Sequence, residues 1–465
     1  MGHSLDESTR KSQIPTADAI SPGWIAAPSP LTPTQWLICA VACLGFAFDQ
    51  YESVMAALIV RPVLTTLGSM RAGTPEFNLW VGLFFFVPTA AGGIFGLLGG
   101  YLTDLLGRRR VLVWSILLYG FSACAASFAP SLTLLLILRC TTLIGVCVEY
   151  VAAVAWLAEL FPNPKQRESV LGYSQASLAV GGLMMSGAYY LAVSYADRLP
   201  VFHGGHEPWR YILLSGLIPA IPLMIVRPFL PESPVWRDMK SKGTLKRPRL
   251  AELFQPALCK TTLLATLLMA CTFALPYGAL MHVPRIVPGL AELRTLAPRQ
   301  VEQAVSGVYL LQELGSVTGR LIFAFLVIRI VSRRRLLRVF LGPALVLFPW
   351  LFFYAATRSL ALLMFGVFCA QALFNGMYGF WGNYLPRVYP THLRGTGESF
   401  AMNIGGRLIG VSAAVVTTQL SNVIRGTSVA ARLAKSSGTT AVFILIVGLI
   451  ASFWLREPEG DQLPE

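Results

Sequence analysis

Several acidic residues stand inside long apolar stretches of the sequence. Asp49 and Glu52 lie three residues apart in the first of these stretches, and Glu149 lies in the middle of the fourth. An isolated charge inside a bilayer costs a contested ~2.5 to 17 kcal/mol, so each of these residues is a candidate for function. Asp49 and Glu52 share a helix face, where mutual repulsion and desolvation favour protonation. They could carry a proton, or each could be neutralised permanently by an arginine from another helix.

Glu149 has no basic neighbour on its own helix face. Arg139 is ten residues away, which on an ideal helix means a rise of about 15 Å and a rotation of about 280°. The two side chains therefore cannot pair directly. Glu149 either faces a cavity as a proton or substrate site or meets an arginine from elsewhere. The candidate proton-coupling residues are Asp49, Glu52 and Glu149.

Arg407 is the arginine of the eleventh apolar stretch and follows Asn403, Gly405 and Gly406. These small or polar residues would let the helix approach a ligand closely. A guanidinium donates two parallel hydrogen bonds to a carboxylate, so Arg407 could bind an organic anion. Alternatively, it could form an ion pair with one of the three acids and hold parts of the protein together.

The tenth stretch carries a polar and aromatic stripe. Gln371, Asn375 and Tyr378 recur at intervals of four and three, so they face one way and would suit a ring or carboxylate ligand, although such stripes also serve packing. Glu313 and Arg320 in the eighth stretch could form a relay or a packed polar seam, and we expect the seam. The candidate substrate-binding residues are Arg407, Gln371, Asn375, Tyr378 and, with weaker support, Trp156 and Gln175.

These residues must be positioned by membrane-spanning helices. Of 465 residues, 55% are hydrophobic and 13% are charged, whereas soluble proteins carry about 25% charged residues. The mean hydropathy is +0.61, and together these values exclude a soluble enzyme and a nucleic-acid-binding protein. Twelve transmembrane helices of about 20 residues or more are predicted. Their ranges are 36–60, 78–102, 111–129, 132–157, 169–195, 209–230, 261–284, 304–328, 338–357, 360–386, 398–421 and 438–455.

Basic residues predict which helix ends face the cytoplasm. The first 33 residues are polar and Pro/Ser-rich and lack the apolar core of a signal peptide, so we expect an uncleaved, mostly disordered tail. An even number of spans places both termini on one side. With that side inside, the inner segments carry 22 Lys and Arg residues, and the outer segments, with Arg210 at the edge of the sixth span counted among them, carry 11. This bias obeys the positive-inside rule and accounts for the net charge without nucleic acid.

The chain repeats itself at long distance. Arg108–Arg110 after the second span returns as Arg333–Arg335 after the eighth, an offset of 225, and Pro162 returns as Pro390, an offset of 228. Two parallel six-helix halves are therefore predicted, an arrangement that suits alternating access. The predicted regions are a cytoplasmic N-terminal tail (1–33), an N-terminal half (34–230), a cytoplasmic linker (231–260), a C-terminal half (261–456) and a cytoplasmic C-terminal tail (457–465).

The loop between spans 2 and 3, Gly100-x-x-x-Asp104-x-x-Gly107-Arg108-Arg109-Arg110, resembles the loop motif of the major facilitator superfamily, and the resemblance extends over about 36–456. In span 4, Arg139, Glu149, Glu159 and Pro162 stand at relative positions 0, 10, 20 and 23. This spacing is similar to that of the branch of metabolite:proton symporters, organic-ion transporters, niacin transporters and synaptic-vesicle proteins. The resemblance implies an all-α membrane protein with twelve transmembrane helices in two pseudo-symmetric halves.

The resemblance also implies an inner gate, in which Glu159 is a structural partner of the basic loop. The second-half copy of the loop motif has Ile328 where an acid is expected. Arg407 stands one residue later than in the usual pattern, so the pattern does not fix the direction of its side chain. An arginine near this place accompanies anionic substrates in the organic-ion relatives. The implied gate residues are Gly100, Asp104, Gly107, Arg108, Glu159, Arg167 and Arg394.

We therefore expect a transporter and not an enzyme: a proton-coupled symporter for a small organic anion, such as a carboxylate or niacin-like metabolite. The alternatives are a proton/drug antiporter, a sugar carrier and a non-transporting receptor or sensor on the same fold. The sequence has no Gly-x-x-x-x-Gly-Lys-Ser/Thr loop, so a gradient must drive transport. We expect no cofactor, and no metal at His203 and His206, which lack a third ligand. We expect the protein to be a monomer in the lipid bilayer, and a bacterial inner membrane is favoured. Both termini are expected in the cytoplasm.

Overall fold

The computed structural model of the protein describes residues 31–161, 163–242, 250–390 and 393–458. Twelve helices in these ranges are long and apolar enough to cross a membrane, as the sequence predicts. We number them α1 to α12: Pro33–Thr66, Pro75–Thr103, Arg108–Ser127, Leu132–Leu160, Val170–Arg198, Pro208–Phe229, Pro256–Gly289, Pro298–Val327, Arg333–Thr357, Leu360–Arg387, Arg394–Val423 and Val429–Trp454.

Several helices are longer than the predicted apolar stretches because they run on to a polar cap. The first backbone N–H groups of a helix lack helical partners, so a side-chain acceptor marks its start. Thr32 accepts a hydrogen bond from the backbone N–H of Gln35 at 3.2 Å. The last span is predicted to begin at residue 438, whereas α12 begins at Val429. Its cap is Ser428, whose side chain accepts a hydrogen bond from the backbone N–H of Ala431 at 3.1 Å.

The two halves meet along two helix pairs. α5 of the first half packs against α8 of the second, and α2 packs against α11. Within the halves, α4 packs against both α2 and α3, and α10 packs along α8. A central space remains between the halves, bounded by parts of α1, α2, α4 and α5 on one side and of α7, α8, α10 and α11 on the other.

We call the end of the molecule that holds Arg108–Arg110 and Arg333–Arg335 the basic face, and the other end the opposite face. Polar contacts join the two halves at the opposite face. Glu302 of α8 pairs with Arg61 of α1 and accepts a hydrogen bond from Tyr189 of α5 at 2.8 Å. Further contacts of this kind are Asn78 with Asn422, Arg285 with Asn78, and Gln303 with Ser194. The halves are therefore closed together at the opposite face.

Two glutamates repeat at the basic face. Glu232 accepts a hydrogen bond from the backbone N–H of Arg109 at 3.1 Å. Glu457 accepts from the backbone N–H groups of Arg333 and Arg334, both at 2.9 Å. Each carboxylate thus lies at the positive end of the helix that follows a repeated loop, where an anion is favoured. The two glutamates are 225 residues apart, the same offset as the arginine repeat.

We expect Glu457→Gln to lower stability at neutral pH. Burial raises the pKa of Glu457, but hydrogen bonds from Ser332 and from the backbone N–H groups of Arg334 and Arg333 outweigh burial and hold that pKa below its ordinary value of 4.5. The charge therefore stabilises the fold above that value, and the contribution is lost as the pH falls through the lower pKa of the folded state. Thermal unfolding in detergent should show a loss of about 1 kcal/mol at neutral pH that shrinks in acid.

Asp238→Asn is the matched control for this measurement. The Asp238 carboxylate forms an exposed pair with Lys242 at 2.8 Å, and exposed pairs contribute little. Equal losses in the two variants, or a loss for Glu457→Gln that persists in acid, would contradict a stabilising role for the Glu457 charge.

Candidate substrate and proton site

A central cavity lies between the two halves. Its walls combine aromatic rings, such as those of Tyr150 and Tyr277, with a small number of polar and charged groups. This mixture is typical of sites for small organic molecules. Of the proton-coupling and substrate-binding candidates proposed from the sequence, those that line the cavity are Asp49, Gln371, Asn375, Tyr378 and Arg407, and Glu313 and Arg320 of the expected seam line it too.

Glu52 is fully buried and paired within the first half. Its carboxylate accepts a hydrogen bond from the guanidinium of Arg139 on α4 at 2.7 Å, and the same guanidinium donates to the backbone carbonyl of Glu52 at 2.7 Å. Of the two alternatives that the sequence left open, this geometry is that of a carboxylate neutralised by an arginine from another helix. The pair also joins α1 to α4.

Glu149 pairs with Arg227 of α6, and both side chains are buried. This outcome agrees with the helix geometry that prevents Glu149 from meeting Arg139. Asp49 lies close enough for its charge to interact with those of Glu149 and Arg227, but neither of its carboxyl oxygens has a hydrogen-bond partner. Of the three first-half acids, Glu52 and Glu149 each pair with one arginine, and Asp49 has no hydrogen-bond partner.

Arg407 lines the cavity from a stretch of α11 that is not α-helical. Ala401–Ile409 form a π-helix, whose wider turn accommodates an extra residue. Arg407, which stands one residue later than in the usual family pattern, lies within this wider stretch. The guanidinium donates to Oδ1 of Asn403 at 2.7 Å. Because that partner is neutral, the hydrogen bond does not cancel the charge of Arg407.

α10 supplies a polar and aromatic part of the cavity wall. Asn375 accepts a hydrogen bond from Arg320 of α8 at 3.3 Å. The ring of Tyr378 lies 5.8 Å from that of Phe273, measured between centroids. Gln371 is buried, and its Oε1 atom has no hydrogen-bond partner. The α10 residues thus face one space, as their spacing of four and three predicts.

The structure does not place Trp156 at the cavity, although the sequence offered it as a weaker substrate-binding candidate. Its indole N–H donates to the backbone carbonyl of Pro231 at 3.0 Å, and its ring is buried. Trp156 is seven residues beyond Glu149 on α4, so it lies nearer the basic face, where it packs against the chain that follows α6. The side chain of Gln175, the other weaker candidate, lies outside the described part of the structure.

The gate residues implied by the family motif lie at the basic face. Arg108 donates to the Glu159 carboxylate at 2.8 Å and to the backbone carbonyl of Thr103 at 3.2 Å. Glu159 is therefore a partner of the basic loop, as expected. Gly107 has a φ of +97° between α2 and α3, a conformation that favours glycine.

The remaining gate residues are spread along the same face. Arg394 donates to the backbone carbonyl of Pro386 at 2.9 Å. Arg167 is half-buried near the start of α5, and Gly100 lies in α2 against Val151 of α4. The side chain of Asp104 lies outside the described part of the structure, so its role in the gate remains a prediction.

Sequence reasoning missed some residues that shape the site. Arg227 pairs with Glu149, and its intramembrane position was the available signal, but nothing in the pattern named its partner. Tyr150, Tyr309 and Gln312 line the cavity. They adjoin or precede conspicuous acids in the sequence, and their uncharged side chains gave no separate signal.

The sequence profile of the Major Facilitator Superfamily matches residues 36–414, and the chain belongs to this family. The protein is therefore a membrane transporter and not an enzyme. The match covers the first half, with Asp49 and Glu52, and the second half as far as the π-helix of α11.

Curated relatives and solved structures agree with this assignment. The chain is 26% identical to the "Probable 4-methylmuconolactone transporter" of Cupriavidus pinatubonensis, over 94% of this chain and 93% of that protein. It is 25% identical to the niacin transporter NiaP of Acinetobacter baylyi, over 84% of this chain and 88% of that protein. The crystal structure of a D-xylose-proton symporter matches with a TM-score of 0.70 at 17% identity, over 90% of this chain and 97% of that one. The last likeness shows the fold alone.

We expect Asp49→Asn and Glu149→Gln to differ in their effect on stability. Asp49→Asn removes a buried acid that lacks a partner, so the melting temperature should stay the same or rise. Glu149→Gln leaves Arg227 buried without its counter-charge, which should cost about 3–5 kcal/mol. Thermal unfolding of the purified variants in detergent measures both effects.

The double variant Glu149→Gln, Arg227→Met is the control for the ion pair. It removes both charges, so most of the stability lost in Glu149→Gln should return. Destabilisation of similar size in Asp49→Asn and Glu149→Gln would contradict the assignment of Asp49 as the acid without a hydrogen-bonded partner.

Proposed function

We propose that this transporter moves a small organic anion together with protons by alternating access. One observation carries the proposal: an acid without a partner, Asp49, and an arginine with a neutral partner, Arg407, line the same cavity from different halves. A proton-binding group and an anion-binding group thus share one space. Each ligand can then change the affinity for the other, as coupled transport requires.

The coupling follows from competition for Arg407. The charges of Asp49 and Arg407 lie close enough to interact, so an unoccupied Arg407 stabilises ionised Asp49. A substrate carboxylate bound by Arg407 takes over that positive charge. Asp49, desolvated and without another partner, then favours its neutral form and binds a proton. Substrate and proton therefore bind together and leave together.

The walls of the cavity and the names of relatives support a small carboxylate as substrate. Tyr150, Tyr277 and Tyr378 offer flat apolar surfaces with polar ends, which suit a compact ring or unsaturated acid. The relatives described above are named for 4-methylmuconolactone and niacin, which are small organic acids. Both the residues and the names favour an organic acid over a sugar or a drug cation.

We infer the orientation from charge. Placing the basic face in the cytoplasm satisfies the positive-inside rule for the loops that carry Arg108–Arg110 and Arg333–Arg335. Both termini are then cytoplasmic. The conformation described above is then closed toward the outside of the cell.

Uptake into proteoliposomes under an imposed pH gradient tests the proposal. We expect labelled niacin or another small carboxylate to accumulate when the outside is acidic, and accumulation to collapse when a protonophore removes the gradient. Asp49→Asn should abolish accumulation yet retain exchange of labelled for unlabelled substrate, because exchange needs no net proton movement. Xylose and a quaternary ammonium cation serve as comparison substrates. Gradient-independent accumulation, or selective uptake of the cation, would contradict proton/anion symport.

Substitutions of Arg407 test anion binding. Arg407→Lys keeps the charge but loses the paired hydrogen-bond geometry, so binding should weaken by about 1–3 kcal/mol. Arg407→Ala should weaken binding further. Arg358→Ala, an exposed arginine over the Tyr354 ring, is the matched control and should bind normally. Calorimetry or tryptophan fluorescence on purified protein measures the affinity, and undiminished binding by Arg407→Ala would exclude Arg407 from the anion site.

A further inference from the structure

Glu313 of α8 is a buried acid that the coupling scheme above does not use. Its side chain is fully buried, and neither carboxyl oxygen has a hydrogen-bond partner. Glu313 borders the central cavity at the interface between α5 and α8, which is one of the two places where the halves pack together. From the sequence, Glu313 is predicted to form either a packed polar seam or a relay with Arg320.

The carboxyl group lies directly against the other half of the molecule. A β-carbon added at Gly182 of α5 would lie 2.1 Å from Oε2 of Glu313 and 2.6 Å from its Cδ atom. Glycine is therefore what allows this close approach. About two turns nearer the opposite face, Ser306 of α8 donates a hydrogen bond to the backbone carbonyl of Ser186 of α5 at 2.9 Å. The α5–α8 interface thus excludes water from the carboxyl group.

The surrounding groups do not hydrogen-bond to the Glu313 carboxyl. The α5 stretch 178–186 contains no titratable side chain, and α10 presents the amides of Gln371 and Asn375. Arg320, two turns along α8, donates to Asn375. The charged or titratable groups that share the cavity wall are Tyr309 and Arg320 of its own helix, Asp49 of α1, Cys147 and Tyr150 of α4, Tyr277 of α7, Tyr378 of α10 and Arg407 of α11.

We propose that Glu313 is a second proton-binding carboxyl, which takes up a proton from water as the α5–α8 interface closes and returns it as the interface opens. An ionised carboxylate without a hydrogen-bond partner in a water-free interior is far less favourable than the neutral acid. When α5 moves away from α8, water in the cavity reaches the carboxyl group and the ionised form becomes favourable. This inference rests on the proposed proton coupling and deepens it, because each half then carries one proton-binding acid.

The sign of the pH dependence follows from linkage. Closing the interface raises the proton affinity of Glu313, so low pH favours the closed interface and rising pH opens it. For one proton, the ratio of closed to open molecules can change by at most about tenfold per pH unit. In a variant whose residue 313 cannot ionise, the α5–α8 interface should remain closed at every pH.

Distance measurements between spin labels test the proposal without any substrate. Labels are placed at Leu191 of α5 and Leu310 of α8, which are both exposed, after the eight free cysteines are replaced by serine. The protein carries Asp49→Asn, so that the titration of Asp49 does not contribute. We expect the closed fraction to fall as the pH is raised from acid to alkaline. Adding Glu313→Gln should keep the interface closed at every pH.

Two glycine substitutions on α5 provide a matched pair. Gly182→Ala crowds the Glu313 carboxyl and should lower the closed fraction at every pH while the pH dependence persists. Gly187→Ala adds a methyl group that meets nothing within 4 Å, and it should behave as the parent. A parent protein whose distances do not change with pH, or a Glu313→Gln variant that titrates like the parent, would overturn the proposal.

The outcome is separable from that of the uptake experiment. Uptake that ignores the pH gradient, together with an α5–α8 interface that titrates through Glu313, would overturn proton-coupled transport but leave Glu313 as a proton site. Uptake driven by protons, together with an interface that does not titrate, would overturn the role of Glu313 and leave Asp49 as the proton carrier.

Discussion

An ionised side chain in a membrane interior needs a counter-charge, and this constraint organises the first half of the protein. The pair of Glu52 with Arg139 joins α1 to α4, and the pair of Glu149 with Arg227 joins α4 to α6. Sliding any of these helices would separate buried charges at a cost of several kcal/mol. The pairs therefore fix three helices relative to one another. Asp49 stands out because Glu52 and Glu149 each have an arginine partner, whereas neither carboxyl oxygen of Asp49 accepts a hydrogen bond.

Polar contacts within the first half and polar contacts between the two halves differ in how easily water can replace them. The buried ion pairs lie inside the first half, so they survive when the two halves move apart. Several contacts between the halves at the opposite face are of another kind: Arg61 and Glu302 are both partly exposed, and Asn78 meets Asn422 through neutral amides. Water can replace such partners at little cost. Lasting contacts within a half and replaceable contacts between halves suit rigid-body rocking.

Hydropathy was enough to predict the number of spans, because the bilayer imposes a minimum apolar length on each helix. Helix geometry was enough to separate Arg139 from Glu149. The partner of Glu149 could not be predicted, since it depends on how α6 packs against α4 and no local pattern records that. Trp156 is not a cavity residue for a related reason: it shares a helix face with Glu149, and that face meets other parts of the first half, where Glu149 pairs with Arg227 and Trp156 donates to the backbone carbonyl of Pro231.

The π-helix of α11 separates a residue's place in the sequence from its place in space. On a regular α-helix, one residue inserted before Arg407 would swing its side chain by about 100°. The wide turn of a π-helix such as Ala401–Ile409 has room for one extra residue without that swing. A single-residue insertion that would otherwise erase an essential charge can persist in evolution when a wide turn lies beside it.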